Sequence, residues 1–245
     1  MNFRFTLATA IRVSGQLKND PRTIGLLILV PVALVALVKW VYLGQDQVFQ
    51  RIGVPLLGIF PLTSMFLVTS ITMLRERTTG TLERLLTTPL GKLDLLAGYA
   101  IAFAGVTLVQ AGVVSAVAFG MLGLETEGPI LGVVGLAVLN AVLGMAMGLF
   151  VSAFAHTEFQ AVQFMPGFLL PQMLLCGLLA PRESMARPLE LLSDVLPMTY
   201  AYDALRRVAA GEPFAGRTAG DTAVLVAGSL LALALGAATL RRRTP

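Results

Sequence analysis

The sequence predicts an all-α polytopic membrane protein, and three observations carry that expectation. Hydrophobic residues fill 56% of the 245 positions and charged residues only 13%, with a mean hydropathy of +0.80, whereas soluble domains carry roughly 25% charge. The apolar residues gather into six runs, near residues 23–43, 53–74, 95–122, 130–154, 159–180 and 222–240. Each is long enough to supply the roughly 20 apolar residues that a 30 Å hydrocarbon core requires. Six transmembrane helices are therefore expected, with the charge left in the segments between them.

Along the chain, residues 2–18 read as an amphipathic helix. Phe3, Thr6, Leu7, Ala10, Val13, Ser14 and Leu17 recur at three and four, with Arg4, Arg12 and Lys18 on the other side. Such a basic helix lies along the inner leaflet. Asp20-Pro21 then gives a cap and a proline at the first helical position, a restart signal for the first apolar run. That run begins too late and is too long for a cleaved signal peptide, whose core has roughly 7–15 residues. Trp40 and Tyr42 at its far end belong to an aromatic belt, and Lys39 can snorkel there.

The third run, unbroken at 1.5 Å per residue, would reach about 42 Å and must tilt or protrude. Pro61 in the second run and Pro166 and Pro171 in the fifth are expected to kink their helices. Small residues step by four as Asn140, Gly144 and Gly148, and again as Gly112, Ala116 and Gly120. Such faces let backbones approach, within the chain or across a dimer seam. Thr63, Ser64, Gln163 and Gln172 near the prolines, with Asn140, are the candidate cavity residues; hydroxyls there can also bond their own helix.

Orientation follows from the cations. Arg4, Arg12, Lys18, Arg22, Arg75, Arg77, Arg84, Lys92, Arg241, Arg242 and Arg243 fall on one side, eleven of the eighteen Lys and Arg residues. That side is cytoplasmic by the positive-inside rule, which puts both termini inside. The net charge of +4 is spread over these loops, so nucleic acid is not an expected partner. No ionisable residue lies in the middle of a run, which disfavours ion-coupled carriers and leaves no base or carboxylate pair for an intramembrane protease. Cys176 is the single cysteine and His156 the single histidine, so neither a disulfide nor a metal site is expected. Gly91-Lys92 is followed by leucine and has no glycine five residues before it, so the chain lacks a P-loop of its own.

Loop 75–94 holds seven charged residues. Gly80 and Thr81 supply a capping-competent helix start, and Leu82, Leu85 and Leu86 fall on one stripe with Glu83 and Arg84 turned away. Pro89 ends the helix. From the residues alone this is an interfacial loop helix. Glu76, Gly80-Thr81-Leu82-Glu83 and Leu85-Leu86-Thr87-Thr88-Pro89 resemble the cytoplasmic signature of the type-2 ABC exporter permeases, the daunorubicin-resistance-like membrane subunits. The resemblance implies that the loop is a coupling helix docking into a separate ATP-binding subunit. Glu76, Gly80, Thr81, Leu82, Glu83, Arg84, Leu85, Leu86 and Pro89 would be its coupling residues. It further implies a single permease domain over 1–245, with an amphipathic elbow helix at 1–22.

Segment 181–221 balances its arginines with carboxylates, and long loops translocate whatever their charge. Leu189, Leu192 and Val195 make a short apolar stripe that breaks at Pro197, after which a second helix starts. A surface-lying amphipathic loop fits this pattern. Cys-Gly-Leu-Leu-Ala-Pro before it and Leu-Pro-Met-Thr-Tyr-Ala-Tyr-Asp-Ala-Leu-Arg within it again resemble the family. That likeness implies outer re-entrant helices marked by Pro197, Tyr200, Tyr202 and Arg206.

The lead expectation is thus a permease subunit of a bacterial ABC exporter in the cell membrane. Its cargo would be amphipathic, lipid-like or drug-like. The chain itself would be no enzyme and would bind no cofactor, with ATP and Mg in the partner. Six spans are few for a route, so two permeases, identical or paralogous, are expected over two ATP-binding subunits, with membrane lipid around them. The alternative is a non-transporting membrane scaffold whose cytoplasmic loop binds a soluble partner.

Overall fold

The computed structural model describes residues 3–87 and 91–239, without the side chains of Glu83 and Leu86. Pro89, expected to stop the loop helix, lies outside the described residues. Those described form ten α-helices and one short 3-10 turn, with no strand among them. The helices are α1 (Phe3–Lys18), α2 (Pro21–Val41), α3 (Asp46–Thr78), α4 (Thr81–Thr87), α5 (Lys92–Gly120), α6 (Ile130–Val151), α7 (Glu158–Leu175), α8 (Arg187–Ser193), α9 (Pro197–Ala209) and α10 (Arg217–Thr239).

Five of these, α2, α3, α5, α6 and α10, are long and apolar enough to cross a membrane. The fifth expected crossing corresponds to α7, which has 18 residues and carries Glu158, Pro166 and Pro171. It is not among the five. The second crossing runs further than its apolar run, from Asp46 to Thr78, because its polar ends continue the same helix on both sides.

Helices α3 and α6 form the centre. A methyl group at Gly144 would lie 2.1 Å from the Leu62 carbonyl oxygen, and one at Gly148 would lie 2.4 Å from that of Phe66. Only glycine permits this approach, so the Asn140, Gly144, Gly148 face is spent on packing within the chain. Gly112 and Gly120 on α5 meet nothing within 4 Å, and that stripe lies open. Helix α10 packs against α6, and the amphipathic α9 lies across α3, α6 and α10 with Met198, Ala201, Ala204, Leu205 and Val208 buried.

Helix α2 is peripheral. Leu26, Leu29, Leu37 and Trp40 face outward, where lipid would cover them. Its attachment to α5 has a particular cause. Pro31 has no N–H, so the Leu27 carbonyl one turn earlier loses its helical donor. Gln110 on α5 replaces it, donating Nε2–H to the Leu27 oxygen at 2.7 Å.

Helix α1 departs from the expected surface helix. Thr6, Thr9, Ala10, Val13 and Leu17 are buried, mainly against α5. Gly98 makes the contact close, since a methyl there would sit 2.5 Å from the Thr9 Cβ. Phe3, Leu7 and Ile11 stay exposed on the other face. The apolar residues of α1 therefore serve two surfaces, one of the protein and one of its surroundings.

Candidate functional site

The loop-helix α4 sits at the junction of α1, the last turns of α3 and the first turns of α5. Gly80 lets it form there. Its φ of +72° lies in the left-handed region, where a side chain is strained, and the turn swings α4 back beneath the bundle. Its carbonyl then accepts from the Arg84 N–H at 3.2 Å, while Thr79 Oγ1 and Thr81 Oγ1 lie 3.0 Å apart.

Leu82 and Leu85 of α4 face the chain's own interior. Leu82 is 7% exposed and shares a core cluster with Val13, Met73, Leu95 and Tyr99. Leu85 is partly buried against the same cluster. Leu82, expected among the coupling residues, thus has most of its apolar surface covered by this chain. Arg84 and Thr87 are the described α4 residues that face outward.

Glu76, one turn before the end of α3, is buried rather than presented. Arg12 from α1 donates from Nη1 to Glu76 Oε1 at 2.8 Å and from Nη2 to the Tyr99 hydroxyl at 3.1 Å. Its guanidinium carbon lies 5.8 Å from the Tyr99 ring centroid. One arginine thereby joins three elements: α1, α3 and α5. The helical period sets Arg12 opposite the apolar stripe of α1, but cannot reveal that its neighbours are a carboxylate and a phenol. Burial is the largest single influence and opposes the charged form of Arg12, but the interactions with Glu76 and Tyr99 together outweigh it and its pKa is raised.

Two buried groups at this junction have no hydrogen-bond partner among the described residues, Glu76 Oε2 and Arg12 Nε. Arg77 beside them is half-buried with Nε and Nη2 equally unpartnered. A cavity of about 400 Å³ opens here, lined by Val13, Gln16, Thr72, Glu76 and Thr81.

Around this centre the caps are polar. Asp20 accepts from the Thr23 N–H at 3.2 Å and its hydroxyl at 2.6 Å, bonds that hold the Asp20 carboxyl below the usual range. Asp94 accepts from the Gly91 N–H at 3.2 Å and from Thr6 Oγ1 at 3.4 Å, closing α1 onto the start of α5. Arg75 pairs with Glu158 at 2.7 Å across α3 and α7, which lowers the Glu158 pKa. Both side chains are more than half exposed, so this pair adds little stability.

The candidate cavity residues do not converge. Thr63 donates to the Phe60 carbonyl on its own helix. Ser64 is half-buried and Gln163 exposed. Asn140 is fully buried against Gly58, where a methyl would lie 2.4 Å from its Nδ2, and both of its side-chain polar atoms lack a partner among the described residues. Gln172 donates to the Phe168 carbonyl at 3.0 Å and accepts from the Met198 N–H at 3.4 Å, a structural tie between α7 and α9.

At the far end, Pro197 opens α9 as its first residue, and the break between α8 and α9 falls where the sequence puts it. Tyr200 donates to the Asp194 carbonyl at 2.6 Å, Tyr202 is 5% exposed, and Arg206 faces outward. Leu189, Leu192 and Val195 on and after α8 are exposed, so that stripe is left largely uncovered among the described residues.

These features define a multi-pass helical membrane protein with a small loop helix locked beneath one end of its bundle. Residues 6–209 match the ABC-2 type transporter family, and the chain belongs to that family. It is similar to "ABC transporter G family member 20" of Dictyostelium discoideum, 28% identical over 141 residues, which are 58% of this chain and 19% of that protein. It is also similar to "Probable multidrug ABC transporter permease YbhR" of Escherichia coli K12, 27% identical over 153 residues, 62% of this chain and 42% of the other. The matches thus span less than half the length of either relative.

Proposed function

We propose that this chain is the membrane-spanning permease subunit of a bacterial ABC exporter, with both termini cytoplasmic. It moves an amphipathic, lipid-like or drug-like cargo, using ATP and Mg²⁺ bound by a separate ATP-binding subunit. Two such subunits act beneath a pair of permeases, either two copies of this chain or this chain and a paralogue. Family membership supports the transporter class, and the name of the Escherichia coli relative supports a drug-like cargo.

One observation carries the coupling role: α4 is anchored to the bundle on its inner face and open on its outer face. Leu82 ties it to the cluster containing Tyr99 and Met73, while Arg84 and Thr87 remain exposed. A force applied to the outer face reaches α3 and α5 through packed side chains, and α1 through the Arg12–Glu76 pair. The docking surface is therefore the polar outer face of α4, with Leu82 and Leu85 as its foundation.

The test is reconstitution of the chain with its co-purifying ATP-binding subunit in proteoliposomes, reading ATP hydrolysis and efflux of a fluorescent amphiphile together. ATP-dependent efflux supports the reading; a stable complex that hydrolyses ATP and moves no cargo favours the scaffold. Orientation is tested by single cysteines at Gln47, Glu125 and Thr79, all exposed positions. An impermeant thiol reagent outside intact cells should label the first two and spare Thr79.

A further inference from the structure

At the end of the bundle away from α4, five arginines line one cavity of about 460 Å³: Arg51, Arg182, Arg206, Arg207 and Arg217. Two of them are neutralised. Arg182 pairs with Asp194 and Asp203, and Arg207 pairs with Asp221 at 2.5 Å and with Glu212 at 4.0 Å. The lining carboxylate Glu190 is held by Arg187 at 2.7 Å, outside the cavity. Arg51, Arg206 and Arg217 have no carboxylate within ion-pair distance among the described residues, and all three are exposed. Glu183 is the one lining carboxylate outside these pairs. Three uncompensated guanidinium groups thus face one uncompensated carboxylate across a shared space.

The cavity is built, not incidental to a loose loop. Gly177, with φ of +99°, turns the chain after α7 so closely onto Tyr202 that a methyl there would lie 3.1 Å from the ring. Arg182 Nε donates to Ser193 Oγ at 3.0 Å, which fixes the wall formed by α8. Arg51 lies in the second turn of α3 and Arg217 opens α10, both of them helices fit to cross the membrane. The cavity therefore lies at headgroup depth. From Arg51 to Thr78 the helix rises about 40 Å, so this is the surface opposite α4.

We propose that this cavity is a binding site for a phosphate-type oxyanion, presented by a phospholipid headgroup at that membrane surface. Planar guanidinium forks bind phosphate oxygens in pairs, which no single ammonium does. Basic pockets between membrane helices bind anionic headgroups by the same chemistry. The inference stands on the cavity alone and does not require that the chain transport anything.

The experiment uses the full chain in nanodiscs of mixed phosphatidylglycerol and phosphatidylcholine, with lipid retention read by native mass spectrometry. The wild type should retain phosphatidylglycerol preferentially, and R206Q/R217Q should lose that preference by on the order of tenfold or more. R206K/R217K, which keeps charge without the fork, should fall between them. Neither residue has a partner to orphan, and R51Q on another helix repeats the test if the double variant fails to fold. R22Q removes the same charge at the opposite surface, outside the cavity, and should change nothing. Excess inorganic phosphate separates the sources: displacement of the lipid shows the bare anion suffices, and retention assigns the site to the intact headgroup. A wild type without preference, or an R22Q loss equal to that of R206Q/R217Q, overturns the proposal.

Discussion

Arg12 and Glu76 lie 64 positions apart in sequence and 2.8 Å apart in space, joining α1 to the end of α3. Side-chain exposures of 28% and 7% make this a mostly desolvated pair. Removing one charge strands the other, whereas removing both leaves a neutral contact. Arg12→Gln or Glu76→Gln alone should each lower stability by about 2–3 kcal/mol, after allowance for the exposed edge of Arg12. The R12Q/E76Q double variant should recover most of that loss. Thermal unfolding in detergent gives the cycle, and strictly additive losses would show that the two groups do not communicate.

Leu82 and Arg84 separate folding from docking on α4. Leu82 is nearly buried, so Leu82→Ala should destabilise the fold by about 2–4 kcal/mol. Arg84 is exposed, and Arg84→Glu should leave unfolding unchanged while weakening association with the ATP-binding subunit by roughly tenfold in a salt-sensitive way. Binding is measured by pull-down at low and high salt. Normal affinity in R84E would move the docking surface off α4.

Gly80 tests the turn itself. At φ of +72° an alanine is strained by about 1 kcal/mol or more, although no neighbour lies within 4 Å of its methyl. Gly80→Ala and Gly80→Val should therefore impair coupling and stability together, while Gly80→Asn is milder because asparagine tolerates this region. Equal behaviour of alanine and asparagine would mean that the turn relaxes without consequence.

What the sequence made legible was whatever a local period or a breaker encodes. The apolar runs located α2, α3, α5, α6 and α10, since burying backbone in hydrocarbon leaves few alternatives to a helix. Gly80 and Pro197 marked their turns because their backbone chemistry allows little else. Long-range partnerships were not legible. The leucine period on α4 identified a buried face but not what buries it, and Leu82 turned out to face this chain. Arg12 reads as one cation of an inner-leaflet helix because its partners Glu76 and Tyr99 are 64 and 87 positions away. Asn140 reads as a cavity group for the same reason: only the fold shows it pressed against the glycine surface of Gly58.

Pro31 and Gln110 give the sharpest test of that long-range logic. The proline leaves the Leu27 carbonyl without a helical donor, and Gln110 Nε2 supplies one at 2.7 Å while its own Oε1 stays buried and unpartnered. Gln110→Leu in the native background removes the donor and should cost about 1–3 kcal/mol, the penalty for an orphaned buried carbonyl. Pro31→Ala restores a backbone N–H one turn after Leu27, so the carbonyl no longer needs Gln110. In P31A the same Gln110→Leu change should then be neutral or stabilising, because it also deletes the unpaired Oε1. The two substitutions must therefore couple with opposite sign to a simple sum, which a double-mutant cycle on denaturant unfolding reads directly. If Gln110→Leu costs the same in both backgrounds, the glutamine does not stand in for the missing N–H, and α2 is held to the bundle by packing alone.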